Sequence, residues 1–192
     1  MENKSRMFAL MKERGANQLD DLTLGLVNAM KYSDSEVVYP RGGEPKAGDG
    51  VDPSWFYAIY RGTNGFSELN AINQYISQEA LFEDIGEMMM GIALVEMKHL
   101  DKLGDLIMDL GGDITQKYET TYVEYGKTAK EAVELGIKAE NSTIEEYNKI
   151  VDKVAALPQN DTTKFVLNLL AKLIADEQFH IKLFKQWLAD NK

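Results

Sequence analysis

The chain has two histidines, and each follows a glutamate by three residues, as Glu96-Met97-Lys98-His99 and Glu177-Gln178-Phe179-His180. On a helix that spacing sets a carboxylate and an imidazole on one face, a turn apart. Oxygen and imidazole nitrogen together suit Fe(II), Mn(II) or Zn(II). Two other glutamates share a pattern of their own. Glu68 is followed by Ile72 and Tyr75, and Glu140 by Ile144 and Tyr147, with Ile at the fourth place and Tyr at the seventh in each. The chain thus reads as two halves, each with one Glu segment and one Glu-x-x-His segment. Glu68, Glu96, His99, Glu140, Glu177 and His180 are the candidate metal ligands.

These six sit on apolar stripes. Met89, Ile92, Glu96, His99, Leu103, Leu106 and Leu110 recur at alternating steps of three and four, as do Val166, Leu170, Leu173, Glu177, His180, Phe184 and Trp187. Val133, Ile137, Glu140, Ile144, Tyr147, Val151 and Val154 follow the same rule, and Glu68, Ile72, Tyr75 and Phe82 share a line. Such positions face the middle of a helical bundle. Four carboxylates there would repel one another and lose their hydration, so they would take up protons or unfold the bundle. Two divalent cations balance the four negative charges, and two neutral imidazoles complete the coordination. Charge balance therefore favours a dinuclear metal centre over a bare acidic cluster.

Bringing the six together takes four antiparallel helices. Periodicity predicts them at about 64–81, 85–110, 128–157 and 162–189, the second closed by Gly111-Gly112. When two antiparallel helices present ligands at one level, the turn falls midway between those ligands in sequence. The midpoint of Glu68 and Glu96 is Phe82, and that of Glu140 and Glu177 lies between Pro158 and Gln159. The first falls in the expected break around Leu81 to Asp84 and the second in the Pro158-Gln159-Asn160-Asp161 break, and a long connection rich in Tyr and Thr joins the two hairpins. The expected fold is all-α, an antiparallel four-helix bundle with one long crossover over residues 52–192, preceded by an N-terminal helical arm at 1–51. Helical spacing runs over 5–31 of that arm. Residues 32–52 collect Pro40, Gly42, Gly43, Pro45, Gly48 and Gly50 and are expected to form a long surface loop. The arm is expected to be a packing or oligomerisation appendage. Asp52-Pro53-Ser54 marks a helix start, and Gly91, Gly104 and Gly136 are expected to permit close helix approach.

Composition narrows the partners. A net charge of −10 opposes a nucleic-acid or anionic-membrane partner. The absence of Cys removes disulfides, iron–sulfur clusters, thiolate zinc and cysteine nucleophiles. There is no run of eighteen apolar residues and no signal-peptide pattern at the start, so a cytoplasmic protein without a membrane partner is expected.

At these residues the chain resembles the ferritin-like superfamily, in its bacterioferritin and rubrerythrin branch, over roughly 52–188. The bundle motif, a Glu from each of two helices and Glu-x-x-His from each of the others, is the one described for di-iron and di-manganese carboxylate proteins. The resemblance implies that Glu96 and Glu177 bridge two metals, that Glu68 and Glu140 are terminal or bridging carboxylates, and that His99 and His180 serve one metal each. It further implies that Tyr75 and Tyr147 lie beside the centre and that Asp176 orients a ligand histidine. Thr143 stands where rubrerythrins carry a further Glu, and their rubredoxin domain is excluded by the lack of Cys. Met97 stands where bacterioferritins carry haem, but methionine is also ordinary helix filler, and haem is not expected. The implied cofactor is two Fe ions, with Mn as the alternative and Zn as a substitute. The implied activity is a di-iron oxidoreductase reducing O2 or hydrogen peroxide, with Fe(II) as an electron source, served by an unidentified electron donor and working as a homodimer or larger homo-oligomer. Di-manganese peroxide disproportionation and non-catalytic iron storage are the alternatives.

Overall fold

The structure, a computed structural model, describes residues 29–62, 67–115 and 123–191. Among them are five α-helices, α1 (Tyr57–Arg61), α2 (Glu68–Leu81), α3 (Gly86–Asp109), α4 (Ala129–Ala155) and α5 (Asp161–Asp190), and no strand. The helix expected over 5–31 lies outside the described residues except for a single 3-10 turn at Ala29–Lys31.

Local chemistry sets each helix end. Asp52 accepts from the Ser54 N–H and Pro53 opens the first turn, so the expected start is realised as a 3-10 turn, Pro53–Phe56, leading into α1. Ser67 caps α2 by accepting from the Asn70 N–H at 3.4 Å. The helix therefore begins at Glu68, later than the apolar spacing alone suggests. Phe82, extended at φ −135°, ends α2, and a 3-10 turn at Glu83–Ile85 leads into α3. At the far end of α3, Gly111 adopts φ +81°. Its N–H bonds to the Met108 carbonyl at 2.9 Å, and that of Gly112 to Ile107 at 2.8 Å, a Schellman closure. Thr128 caps α4. Asn160 and Thr163 exchange side-chain and backbone bonds in a capping box at the start of α5.

The short turns make α2–α3 and α4–α5 antiparallel hairpins, and each pair packs along its length. Two buried clusters flank the middle. One gathers Phe56, Ile59 and Tyr60 of the short helices with Leu103, Leu106, Ile107, Leu170 and Leu173. The other gathers Tyr75, Met89, Ile92, Val133 and Phe184. The stripes expected on α3 and α5 are buried as read, save that Trp187 is half-buried. On α4 Val133, Glu140, Tyr147 and Val154 are buried as expected, and the other half of the stripe needs correction. Ile137, Ile144 and Val151 are half-buried, whereas Gly136, Thr143 and Ile150 lie inside. The reason is steric: a Cβ at Gly136 would stand 2.8 Å from the Phe184 ring, so the helix turns its smallest residue inward to admit that ring. Gly136→Val is expected to overpack this contact and lower stability by about 1–3 kcal/mol, measurable by urea unfolding. Gly91 and Gly104 do not meet other bundle helices; their Cβ positions point at the rings of Tyr32 and Tyr60.

The segment expected as a surface loop is tied to the bundle at both ends. Val51 and Pro45 are buried, Asp49 accepts from the Thr162 hydroxyl at 2.7 Å, and Ser33 and Asp34 bond to α5. No helix among the described residues is long and apolar enough to cross a membrane.

Candidate metal centre

All six candidate ligands converge in the space between the hairpins, each at most 2% exposed. Two groups of donor atoms form, Glu68, Glu96, His99 and Glu177 in one and Glu96, Glu140, Glu177 and His180 in the other, each with its atoms within 4.8 Å of one another. Glu96 and Glu177 belong to both.

A near two-fold relation governs the distances. His99 Nδ1 lies 2.9 Å from the Glu96 carboxylate on its own helix, 3.2 Å from Glu177 and 3.6 Å from Glu68. His180 Nδ1 lies 3.2 Å from Glu177 on its own helix, 3.1 Å from Glu96 and 3.5 Å from Glu140. The two rings stand 6.3 Å apart, centroid to centroid. The tyrosines cross over. Tyr75 of α2 donates to Glu140 of α4, and Tyr147 of α4 donates to Glu68 of α2. Each is fully buried, so each fixes the carboxylate of the opposite hairpin. Tyr147→Phe and Tyr75→Phe are each expected to cost about 1–3 kcal/mol in metal-free protein, because the accepting carboxylate loses its buried donor. Denaturant titration of chelator-treated protein reads this directly.

The donor set fits divalent metal. One N–H can serve one acceptor, yet each Nδ1 faces three carboxylates. His180 Nδ1 is close to its neighbours but misaligned for hydrogen bonding, and both its ring nitrogens, both Glu177 oxygens and Glu96 Oε1 are buried without a hydrogen-bond partner among the described residues. Orphaned buried polar atoms are rare, and a cation is what would satisfy several at once. Ligands about 2.0–2.2 Å from a shared ion stand about 3.0–3.5 Å from each other at tetrahedral or octahedral angles, close to the spacings here.

The protein's own electrostatics point the same way. Burial and then the charge of Glu96 push Glu68 up to about 8. Glu177 is held well above the usual carboxylate range by burial and by Glu96, Glu140 and Glu68. Burial works against the charged form of Glu96 too, but His99 and His180 pull it well below that range. Burial likewise opposes charge on both imidazoles, yet the carboxylates around them raise both. Burial and mutual repulsion thus bias Glu68 and Glu177 toward their protonated forms.

Asp176 is buried on α5, and its Oδ2 lies 3.1 Å from His99 Nε2. The imidazole it touches is thus on α3, across the bundle. Thr143 donates to the Ala139 carbonyl of its own helix, and Met97 is 38% exposed on α3. Lys172, Ser33, Asp34 and Tyr39 also stand around Asp176 and were not marked by the sequence. Lys172 four residues before Asp176, an i,i+4 charge pair, was a signal present in the sequence of α5; the loop residues carried none.

An all-helical hairpin pair enclosing a buried carboxylate–imidazole cluster defines a class of bundle proteins. A family model for the ferritin-like domain matches residues 67–191, and the chain belongs to that family. The chain is 32% identical over 123 residues to a bacterioferritin of Desulfovibrio desulfuricans, a match covering 62% of this chain and 66%, just under two thirds, of that relative's length. Among solved structures, the Mycobacterium tuberculosis bacterioferritin BfrA superimposes with a TM-score of 0.59 at 23% identity, over 72% of this chain and 86% of that one. That likeness speaks to the fold.

Proposed function

We propose that this protein is a ferroxidase-type di-iron oxidoreductase, which takes two Fe(II) ions into the cluster and passes their electrons to O2 or hydrogen peroxide. The observation that carries the reading is the pair of donor groups sharing Glu96 and Glu177. Two redox ions held a bridging distance apart supply both electrons for one oxygen molecule. The chain's part is placement. Glu96 and Glu177 would span the pair, Glu68 and Glu140 would close its two ends, and His99 and His180 would each present a neutral nitrogen. Tyr75 and Tyr147 hold the end carboxylates in place through their cross-hairpin bonds. Burial of the whole cluster keeps bulk water from the donors, which strengthens their hold on a cation.

The test is anaerobic Fe(II) loading followed by mixing with oxygenated buffer, with remaining Fe(II) and consumed O2 both measured. Oxidation of two Fe(II) per O2 reduced to peroxide is expected, and Glu96→Ala and His99→Ala should fall to the rate of Fe(II) in buffer. Equal rates in the variants and the unsubstituted chain would remove the proposal. The same donors suit Mn(II), so metal analysis of the protein from its native host, with peroxide consumption measured alongside, separates the peroxide-disproportionating reading. The reading includes a homodimer or larger assembly, supported by apolar Ile76, Leu81 and Met97 exposed on the first hairpin; light scattering tells a dimer from a storage shell.

A further inference from the structure

The two halves of the cluster match at the donor atoms but not behind them. Behind His99, Nε2 meets Asp176 Oδ2 at 3.1 Å. The other oxygen of Asp176 accepts from Lys172 Nζ at 2.7 Å, from the Ser33 hydroxyl at 2.9 Å and from the Asp34 N–H at 2.6 Å. Lys172 is itself 2% exposed and also donates to the Ser33 oxygen and the Asp34 carbonyl, at 2.9 and 2.7 Å. The ring of Tyr39 lies 5.4 Å from its ammonium. Every member of this network therefore holds another, and all of it leads to one imidazole nitrogen.

Among the described residues there is no such network behind His180. Counting back equally from the histidine, Val95 stands where Asp176 does, and Gly91 where Lys172 does. Val95 is buried and has no polar group to offer. His180 Nε2 is fully buried and has no hydrogen-bond partner among the described residues. The space that a side chain at Gly91 would need is filled by Tyr32, whose ring atoms lie 2.2 Å from the position a Cβ would take. One run of chain, Tyr32-Ser33-Asp34, thus presses on α3 with its first residue and bonds to α5 with the next two. Being a single segment, it can serve one half only.

A carboxylate on the outer nitrogen of a ligand histidine fixes the tautomer, sets the ring's angle and raises the basicity of the inner nitrogen. His99 has all three advantages. His180 must select its tautomer when an ion arrives, with nothing holding the ring from behind.

We propose that the two metal positions are inequivalent: the strap Tyr32-Ser33-Asp34, with Lys172 and Asp176, makes the Glu68/Glu96/His99/Glu177 position retentive, while the Glu96/Glu140/Glu177/His180 position exchanges its ion. This rests on the two-metal reading, and Ser33, Lys172 and Asp176 are positioning residues within it. The experiment loads the full-length chain with Co(II) and dialyses it against graded chelator. Cobalt per chain and the visible Co(II) spectrum are followed together. Two phases of loss are expected, about tenfold to a hundredfold apart in free Co(II), with different spectra for the half-loaded and fully loaded protein. Asp176→Asn should weaken the retentive phase by about tenfold or more and draw the two together. Ser33→Ala, which removes one bond to Asp176 and spares the buried charges, should weaken it by a smaller factor. Val95→Asp supplies the missing carboxylate behind His180 and should tighten the exchangeable phase, a gain that mere structural damage does not produce. Loss of two Co(II) per chain in a single phase would overturn the inequivalence and leave the two-metal reading standing. A folded protein that retains no Co(II) would overturn both. A retentive phase unmoved by Asp176→Asn and Ser33→Ala would remove the strap from the explanation and with it the proposal.

Discussion

Stripping metal from the protein is expected to lower its thermal unfolding midpoint by about 10–20 °C. An ion present at 100 times its dissociation constant stabilises the folded state by about 2.7 kcal/mol, so two contribute about 5. For a domain of this size each kcal/mol moves the midpoint by about 2–4 °C. The shift should depend on the concentration of added Fe(II) or Mn(II) under anaerobic conditions, because it is a binding effect. Calorimetry of chelated and reloaded samples checks it, and a midpoint indifferent to metal at any concentration would speak against ions in the bundle.

Replacing Glu177 by Leu is expected to act in opposite directions on stability and on binding. Among the described residues, both oxygens of Glu177 are buried without a hydrogen-bond partner, and burial with the charges of Glu96, Glu140 and Glu68 outweighs the pull of His99 and holds its carboxyl well above the usual carboxylate range. Removing it takes from each imidazole a carboxylate 3.2 Å away, but relieves the larger repulsion with Glu96, Glu140 and Glu68. It takes away two orphaned oxygens from a fully buried position and substitutes apolar contact. Apolar replacement of a buried group whose charged form is disfavoured on balance is expected to raise stability modestly. Metal-free Glu177→Leu should therefore unfold at higher urea than the metal-free parent. Because Glu177 belongs to both donor groups, the same variant should bind fewer than two ions per chain. A variant that is both less stable and normally loaded would contradict the picture of a cluster kept for its ions at the expense of the apo fold.

Much of the bundle could be read from the chain because its signals are local. Phe82 and the Pro158–Gln159 break lie midway between ligands, and the turns fall there since antiparallel helices of equal rise must meet level. The Schellman closure at Gly111 and the cap at Asp52 are likewise written in adjacent residues. On α4 the stripe holds at Val133, Glu140, Tyr147 and Val154 but not at Ile137, Ile144 and Val151, because apolar type does not fix direction. Ile144 and Val151 look like core, but the bulk of Phe184 opposite Gly136 decides which way the helix turns. The tie from Ser33 to Asp176 spans 143 residues and depends on where a Gly- and Pro-rich segment comes to rest, which no periodicity encodes. The paired Glu and Tyr of each half foretold a repeat, but not that each tyrosine would serve the other hairpin.

That exchange has a consequence for assembly of the chain. Neither hairpin owns a complete set of donors: the first lacks Glu177 and the second lacks Glu96, while each end carboxylate waits for a hydroxyl carried by the other. Hairpins with close-range contacts form early, and their docking comes after. On the proposed two-metal reading, ion capture would proofread the union of the halves, since only a correctly mated pair could close a coordination shell.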